Sequence, residues 1–397
     1  MGEQSRYEQR GVSSSKPDVH AATANLDKGL FPGAFCKLLP DFDDPEMCIL
    51  QHADGAGTKA ALAYLVWKHT GNLEVWKGIA RDSLFMNLDD AQCVGVVDKF
   101  NVSLTINRNK TLIAGEVIKT LIDECQSVCE MLTERGIRCQ FTGGETADVG
   151  DLVRTITVDN TITARIRRDQ VIDASRINTP AVIVGFSSTG RANWEIAENS
   201  GIGSNGLTNA RHDVLSKDYR AETETYAPQT DPDLVYCGDF RLEDRLPDDQ
   251  RFTMATALLS PTRTYLPLVK MLLEQIGREN ILGLIHCSGG GQTKIGKFGA
   301  TGITYVKNNL LPMPPLFRFL EYARGLPWRQ MYESYNMGHR LEGAFRNRDI
   351  ADECIEISRS LGIEAQIIGE VISGKRSTSP NRTLVIATPG GDEVYDF

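Results

Sequence analysis

No run of apolar residues in the 397-residue chain approaches the roughly 20 needed to cross a bilayer, so a membrane partner is not expected. The opening segment, Met1 to Lys16, is polar and lacks the apolar core of a signal peptide, which makes the cytoplasm the expected compartment. Basic residues are also in deficit: 43 Lys and Arg stand against 52 Asp and Glu, a formal charge of −9. Extended nucleic-acid binding needs stripes of cations, so that class is set aside, while a small anionic ligand needs only a local pocket. The nine cysteines show no paired CxxC spacing of the kind that builds zinc sites. They are expected to be reduced and mostly to serve as small buried hydrophobes. Internal repeats, low-complexity tracts and the GxxxxGK[ST] phosphate loop are likewise missing.

What is present suits a globular α/β protein. With 41% hydrophobic and 24% charged residues the chain has material for two ordinary domains. MCILQH (47–52) reads as a strand that breaks at ADGAGTK, and AALAYLVWKHT as the following helix. A second helix is predicted over Trp76–Gln92 and a strand over Asn101–Ile106. A long helix within 111–135 stops at Gly136, the strand IRCQFT ends in Gly143-Gly144-Glu145-Thr146, and alternation through 153–166 predicts one strand or a pair. The pattern restarts near residue 174 with PAVIVGFSS. Further helices are predicted at 262–277, 315–324 and 349–362, and strands at AQIIGEVI and TLVIAT. Between His212 and Phe252 acidic residues dominate and periodicity fades, which predicts a surface insertion or mobile loop.

Four segments carry candidate chemistry. Asp54-Gly55-Ala56-Gly57-Thr58-Lys59 lies between strand and helix. There glycines let amides approach an oxyanion, the lysine adds charge for phosphate, and the aspartate can hold a metal ion. The helix from Trp76 carries Asp82, Asp89 and Asp90; residues 82 and 89 share a face about 10 Å apart along the axis. Magnesium prefers oxygen ligands, so Asp89 or Asp90 could join Asp54. The plainer reading is that these carboxylates solvate an amphipathic helix, the more so for Asp82. Gly143-Gly144-Glu145 after an apolar strand, and Ser288-Gly289-Gly290-Gly291 after ILGLIHC, fit either ligand cradles or simple turns. Ser204-Asn205-Gly206 and Pro261-Thr262-Arg263 add hydroxyl, amide and guanidinium donors for a phosphorylated ligand, or serve as a turn and a helix start.

Taken in order, these segments resemble the phosphoribosylformylglycinamidine cyclo-ligase (aminoimidazole ribonucleotide synthetase) family. DGAGTK at 54–59 is similar to the family's DGVGTK, Asp89-Asp90 falls at its Asn-Asp, and Gly143–Ala147 matches GGETA. Ser204–Gly206 matches the end of HSNG, Pro261–Arg263 matches PTR, His286 with Gly289–Gly291 matches HLTGGG, and Tyr335–Gly338 resembles FNMG. Tyr7, Gly11-Val12 and Gly33–Cys36 fit its N-terminal segments. The chain departs from the pattern at Gly203, which stands where the family has histidine, and at Thr105, Lys294-Ile295 and His339-Arg340-Leu341. His212, a few residues past SNG, is a candidate stand-in for the missing imidazole.

The resemblance implies two mixed α/β domains with the active site in the cleft between them. Residues 1–173 would form an N-terminal ATP- and Mg2+-binding domain, and residues 174–397 a C-terminal substrate- and phosphate-binding domain with an acidic insertion about 207–255. It further implies a homodimer whose first-domain sheets pair into a barrel. The implied reaction is ATP-dependent closure of formylglycinamidine ribonucleotide to aminoimidazole ribonucleotide, a step of purine biosynthesis, through phosphorylation of the formyl oxygen. On that basis Asp54, Lys59, Asp90 and Glu145 are the catalytic candidates, with Asp54, Asp90 and Glu145 as metal ligands and Asp89 as an auxiliary one. Gly33, Gly55, Gly57, Thr58, Lys59, Gly143 and Gly144 would bind the nucleotide. Ser204, Asn205, Arg263, Gly289, Gly290 and Gly291 would hold the small phosphorylated substrate. The rivals are another ATP-dependent member of the superfamily, such as a selenophosphate synthetase for which Cys36-Lys37 offers a superficial match, and a silent nucleotide-binding paralogue.

Overall fold

The computed structural model describes residues 5–13, 16–374 and 382–397. Two short helices, α1 (Arg6–Gln9) and α2 (Pro17–Thr23), and the two-residue strand β1 (Leu39–Pro40) lead into β2 (Met47–Gly55). Then come α3 (Lys59–Thr70), α4 (Glu74–Gln92), β3 (Lys99–Arg108), α5 (Gly115–Glu134), β4 (Arg138–Asp148) and β5 (Ile156–Arg167). These strands form an open sheet in the order β1-β2-β5-β3-β4, parallel only at β3–β4. No barrel closes within the chain among the described residues. Period-two alternation explains the layering: Phe100, Val102, Leu104 and Ile106 of β3, and Val158, Ile162 and Ala164 of β5, are buried on the face that meets α4 and α5. The other face carries Ser103, Thr105, Thr157, Thr161 and Thr163 and stays partly open. GGETA differs from expectation. The strand does not end at Gly143 but runs through it to Asp148, because Gly144 can press against the Leu104 carbonyl, where a Cβ would sit 1.7 Å from the oxygen.

The second half begins with β6 (Ala181–Ser187), α6 (Leu207–Val214), a hairpin of β7 (Arg245–Leu246) and β8 (Asp249–Thr253), α7 (Met254–Leu259) and α8 (Leu266–Gln275). It continues with β9 (Ile281–His286), β10 (Ile303–Lys307), α9 (Pro315–Arg324), α10 (Trp328–Ser334), β11 (His339–Phe345), α11 (Arg348–Ser360), β12 (Ala365–Ser373), β13 (Arg382–Thr388) and β14 (Gly391–Asp396). Seven of these strands form a mixed sheet in the order β14-β13-β10-β12-β6-β11-β9. The acidic segment is not the loop that its composition suggested. Arg211, His212 and Asp213 of α6 are buried, Arg10 reaches Asp213 at 2.7 Å, and Arg211 donates to the Thr225 carbonyl and to the Tyr236 hydroxyl. Asp213, Glu222 and Glu224 pair with Arg10 and Lys68 from elsewhere in the chain, which a local composition count cannot see.

α4 joins the two halves. It packs on β2 and β5 on one side and on α8 and β9 on the other, and all of its residues from Asp82 to Gln92 are buried. The prediction that its aspartates solvate an outer face is thereby corrected. A helix covered on both sides buries its charges, and each must find a partner.

Candidate active site

β2 delivers His52 and Asp54 to the place where α4 delivers Asn87, Asp89 and Asp90. Residues two apart on a strand share a face, so His52 and Asp54 both point toward α4. Gly55 follows because a Cβ there would overlap the Asp159 carboxylate at 1.9 Å. Burial, then the nearby Asp90 charge, raises the Asp54 carboxyl above its ordinary range, offset by the Gly55 amide that donates to Oδ1 at 2.7 Å. Burial also opposes ionisation of Asp90, yet the hydrogen bond from His286 holds that carboxyl below its usual range.

His286, the last residue of β9, lies 2.6 Å from Asp90 Oδ1 through Nδ1. Burial and the Arg340 charge lower its pKa to about 4, so at neutral pH the ring donates from Nδ1 and accepts at Nε2 from Arg340 Nη2, 2.5 Å away. Arg340 also reaches Asp89 at 3.2 Å. It is 2% exposed, and its Nε and Nη1 have no hydrogen-bond partner among the described residues. It fills the space beside Gly203, where a Cβ would meet its Cδ at 3.0 Å. Lys294 sits 5.0 Å from the Phe35 ring centroid, near enough to Asp90 and His286 to perturb both.

The other expected residues divide. Gly57 and Thr58 are exposed at the start of α3, Gly57 with a φ of 59°. Ser204 Oγ and Thr262 Oγ1 are 3.0 Å apart, and Asn205 is half-buried beside them. Gly289 borders open space and a Cβ on Gly290 would lie in ordinary contact with Lys294 and Thr293, whereas Gly291, at a φ of 51°, lies against the Tyr335 and Tyr332 carbonyls. Gly33 instead packs on Ser175 and Asp173, and Gly143 borders open space on β4.

Several expected roles do not match the placement. Lys59 does not face an open cradle: its ammonium is buried on Asp82, the Gly203 carbonyl and the Ser260 carbonyl. Arg263 is spent on both carboxylate oxygens of Glu195 and on the Ser187 and Thr189 carbonyls. Asp89 is turned to Thr264, Tyr265 and Arg340, not to Asp54. Glu145 is exposed on β4, and register places Gly55, Asp159, Thr105 and Glu145 abreast on four successive strands. Three strand spacings put Glu145 about 14 Å from the Asp54 region within one chain, so the expected three-carboxylate cluster does not form there. His212 is buried away from the cleft, with Nδ1 accepting from the Tyr236 amide at 3.2 Å, and cannot replace an imidazole at Gly203. Cys36 is 6% exposed and donates to the Asp90 carbonyl, and burial pushes its thiol well up, which opposes a nucleophilic thiolate.

Sequence reasoning missed His52 and Asn87 as members of the site and gave Lys294 and Arg340 only as departures. His52 was legible through its i, i+2 relation to Asp54. The others converge through tertiary contacts that no local pattern signals.

Residues 34–166 match the family described as AIR synthase related protein, N-terminal domain. The chain is 26% identical over 345 residues to a phosphoribosylformylglycinamidine cyclo-ligase of Methanococcus vannielii, covering 87% of this chain and 81% of that protein. It is 24% identical to one of Alkaliphilus metalliredigens, covering 93% of each. The resemblance to the cyclo-ligase family read from the sequence is thus supported along most of the chain. Among solved structures, the fold is similar to a HypE–HypF complex chain (TM-score 0.55, 14% identity, covering 96% of this chain and 99% of that one). It is also similar to ThiL complexed with AMPPCP and TMP (TM-score 0.52, 10% identity, covering 92% and 91%).

Proposed function

We propose that this chain, related to the AIR synthase family by sequence and to its superfamily by fold, is an ATP-dependent enzyme that activates a carbonyl-type oxygen on a small phosphorylated substrate. Within that class we propose ring closure of formylglycinamidine ribonucleotide to aminoimidazole ribonucleotide. The observation that carries the reading is that Asp54 lies near enough to Asp90 to feel its charge, beside the exposed turn Gly57-Thr58. An ionised Asp90 that raises the cost of ionising Asp54 calls for a cation beside the pair, and their hard oxygen donors fit Mg2+, which when bound would screen the charge of a nucleotide's phosphates.

The chain's own residues have modest chemistry to do. The α3 N-terminus offers amides to phosphate oxygens, and Lys294 supplies a positive charge near Asp90. The γ-phosphoryl passes to the formyl oxygen, the substrate's own nitrogen attacks the same carbon, and inorganic phosphate leaves as the ring closes. Atoms balance with no covalent enzyme intermediate, so catalysis rests on positioning and charge neutralisation. His286, held neutral between Asp90 and Arg340, fixes the Asp90 carboxylate in place.

Strands up to Arg167 build one sheet and strands from Ala181 the other, which supports domains of 1–173 and 174–397. The open, polar face of the first sheet and its unpaired β4 edge support a homodimer in which Glu145 reaches the Asp54 of a second copy. Nine free cysteines suit a reducing cytoplasm, and no helix among the described residues is long and apolar enough to cross a membrane.

One observation favours a second reading. Arg340 occupies the space that Gly203 vacates, at two positions where the chain departs from the cyclo-ligase pattern, so the same phosphoryl-transfer chemistry could serve a different substrate. Incubation with ATP, Mg2+ and formylglycinamidine ribonucleotide should yield ADP, phosphate and a diazotisable aminoimidazole. ATP binding without that product would favour the second reading or a silent paralogue, and absence of nucleotide binding would end both enzyme readings.

A further inference from the structure

We propose that Cys36, His52 and Asp90 form a binding site for a borderline-soft divalent cation of the zinc class. The Cys36 sulfur, an imidazole nitrogen of His52 and a carboxylate oxygen of Asp90 all lie within 4.8 Å of one another. The inference stands apart from the nucleotide reading, since it concerns what this donor set binds in the chain alone.

The orientation of Asn87 decides the chemistry. Its Nδ2 donates to the carbonyls of Asp54, Ser83 and Asn160 at 3.0, 3.0 and 2.9 Å, which leaves Oδ1 as the acceptor. Oδ1 faces His52 Nδ1 at 3.0 Å, so Nδ1 carries a ring proton and Nε2 is the nitrogen left to face a ligand. Nε2 lies 3.4 Å from Asp90 Oδ2. A proton or a metal ion can bridge two such groups, and the Cys36 sulfur beside them suits a metal. Ligands held at 2.0–2.3 Å around a tetrahedral zinc ion stand about 3.3–3.8 Å apart, and the His52–Asp90 separation already falls in that range. Cys36 needs to close by no more than about 1.5 Å to reach the same spacing.

Both ring and carboxylate are held from behind. His52 is fixed through Nδ1 by Asn87, and Asp90 through Oδ1 by His286 at 2.6 Å. Such outer partners orient metal ligands and set their tautomers. One sulfur, one imidazole and one carboxylate suit zinc-class ions better than magnesium, which favours an all-oxygen octahedron. Asp54 adds negative charge nearby, and Lys294 partly offsets it. On binding, the Cys36 thiol loses its proton to solvent as the metal–sulfur bond forms, so affinity rises with pH. Asp90 is common to this set and to the carboxylate pair, so the two kinds of cation compete for it.

The test uses the full chain stripped with a chelator, with Co2+ as the optical probe and Zn2+ as the competitor. One equivalent of Co2+ should give a thiolate-to-cobalt charge-transfer band that Zn2+ abolishes and excess Mg2+ does not. Cys36→Ser should remove the band, and His52→Gln should keep part of it while weakening binding by ~10-fold or more. Cys287→Ser, at the other buried Cys–His–Glu group with His339 and Glu342, should leave the band intact. The proposal is overturned by absence of a stoichiometric band, by a band that survives Cys36→Ser, or by one that disappears with Cys287→Ser.

Discussion

Lys59, the first residue of α3, meets Asp82 of α4 with Nζ 3.0 Å from Oδ2, and neither side chain has any exposed surface. The same ammonium also donates to the Gly203 and Ser260 carbonyls, while the Thr262 amide donates to Asp82 Oδ1 at 2.6 Å. One ion pair thus ties the DGAGTK turn to the GIGSNG and PTR segments of the second half. Burying one charge without the other is expensive, so Lys59→Met should destabilise the protein by about 3–5 kcal/mol. Combining it with Asp82→Leu should cost less than the sum of the two single changes. Urea denaturation measures this, and a loss below about 1 kcal/mol for Lys59→Met would show that the pair is not structural.

Asp89 gives the protein a pH dependence of definite sign. Burial raises its carboxyl to about 7, against the pull of Arg340 and the bonds from Thr264 and Tyr265. An unfolded aspartate titrates near pH 3.9, so the stability that comes from keeping Asp89 neutral is complete below that value and is lost as pH rises through about 7. His286, lowered to about 4, slopes the other way: its contribution is present above about pH 6.5 and lost as pH falls through 4. Asp89→Asn can still accept at Oδ1 from Thr264, and it deletes only the first slope. The stability of wild type minus that of the variant should therefore fall steadily from about pH 5 to 8 in urea titrations, and a flat difference would show that Asp89 does not titrate in this window.

The strand–helix alternation and the motif order were legible because each depends on local periodicity and on glycines at forced backbone positions. β3, α4 and α11 lie close to their predicted ranges for this reason. What could not be read was the fate of charges. Lys59 and Arg263 look like ligand-facing groups in sequence and Asp82 like a solvated one, and all three are absorbed into buried pairs only because α4 and the PTR segment are covered from both sides. Glu145 shows the same limit in the opposite sense. Its motif is plain, but strand order, which no single segment encodes, sets it three strands away from Asp54.

Arg340 should act on substrate and not on nucleotide. Its Nε and Nη1 are buried without a partner among the described residues, beside the Gly203-Ser204-Asn205 loop, and leaving such donors unmet costs about 1–3 kcal/mol each. An anionic group of the substrate would meet them. Under the proposed function, Arg340→Met should raise KM for the phosphorylated substrate by ~10-fold or more, with KM for ATP changed less than about twofold. Arg340→Lys should recover part of the loss, because it restores the charge but not the planar fork. Equal rises in both KM values would instead place the effect in the general packing of Asp89 and His286.

Glu145 offers the sharpest test of how the active site is assembled. In one chain it lies three strands from Asp54, on the outer edge of β4, while β2 beyond Ile49 has β5 on one side and no strand on the other among the described residues, since β1 covers only Cys48 and Ile49. A twofold that sets the β4 edge of one copy against the β2 edge of another brings Glu145 of the first to Asp54 of the second, and the converse holds for the second site. Asp54→Asn and Glu145→Gln should each abolish ATP turnover as homodimers. When the two variants are unfolded, mixed and refolded together, half of the dimers are mixed, and each mixed dimer holds one site with both native carboxylates and one with neither. Activity should then return to about one quarter of wild type. If both carboxylates served within a single chain, every site in the mixture would still carry one defect, and no activity would return.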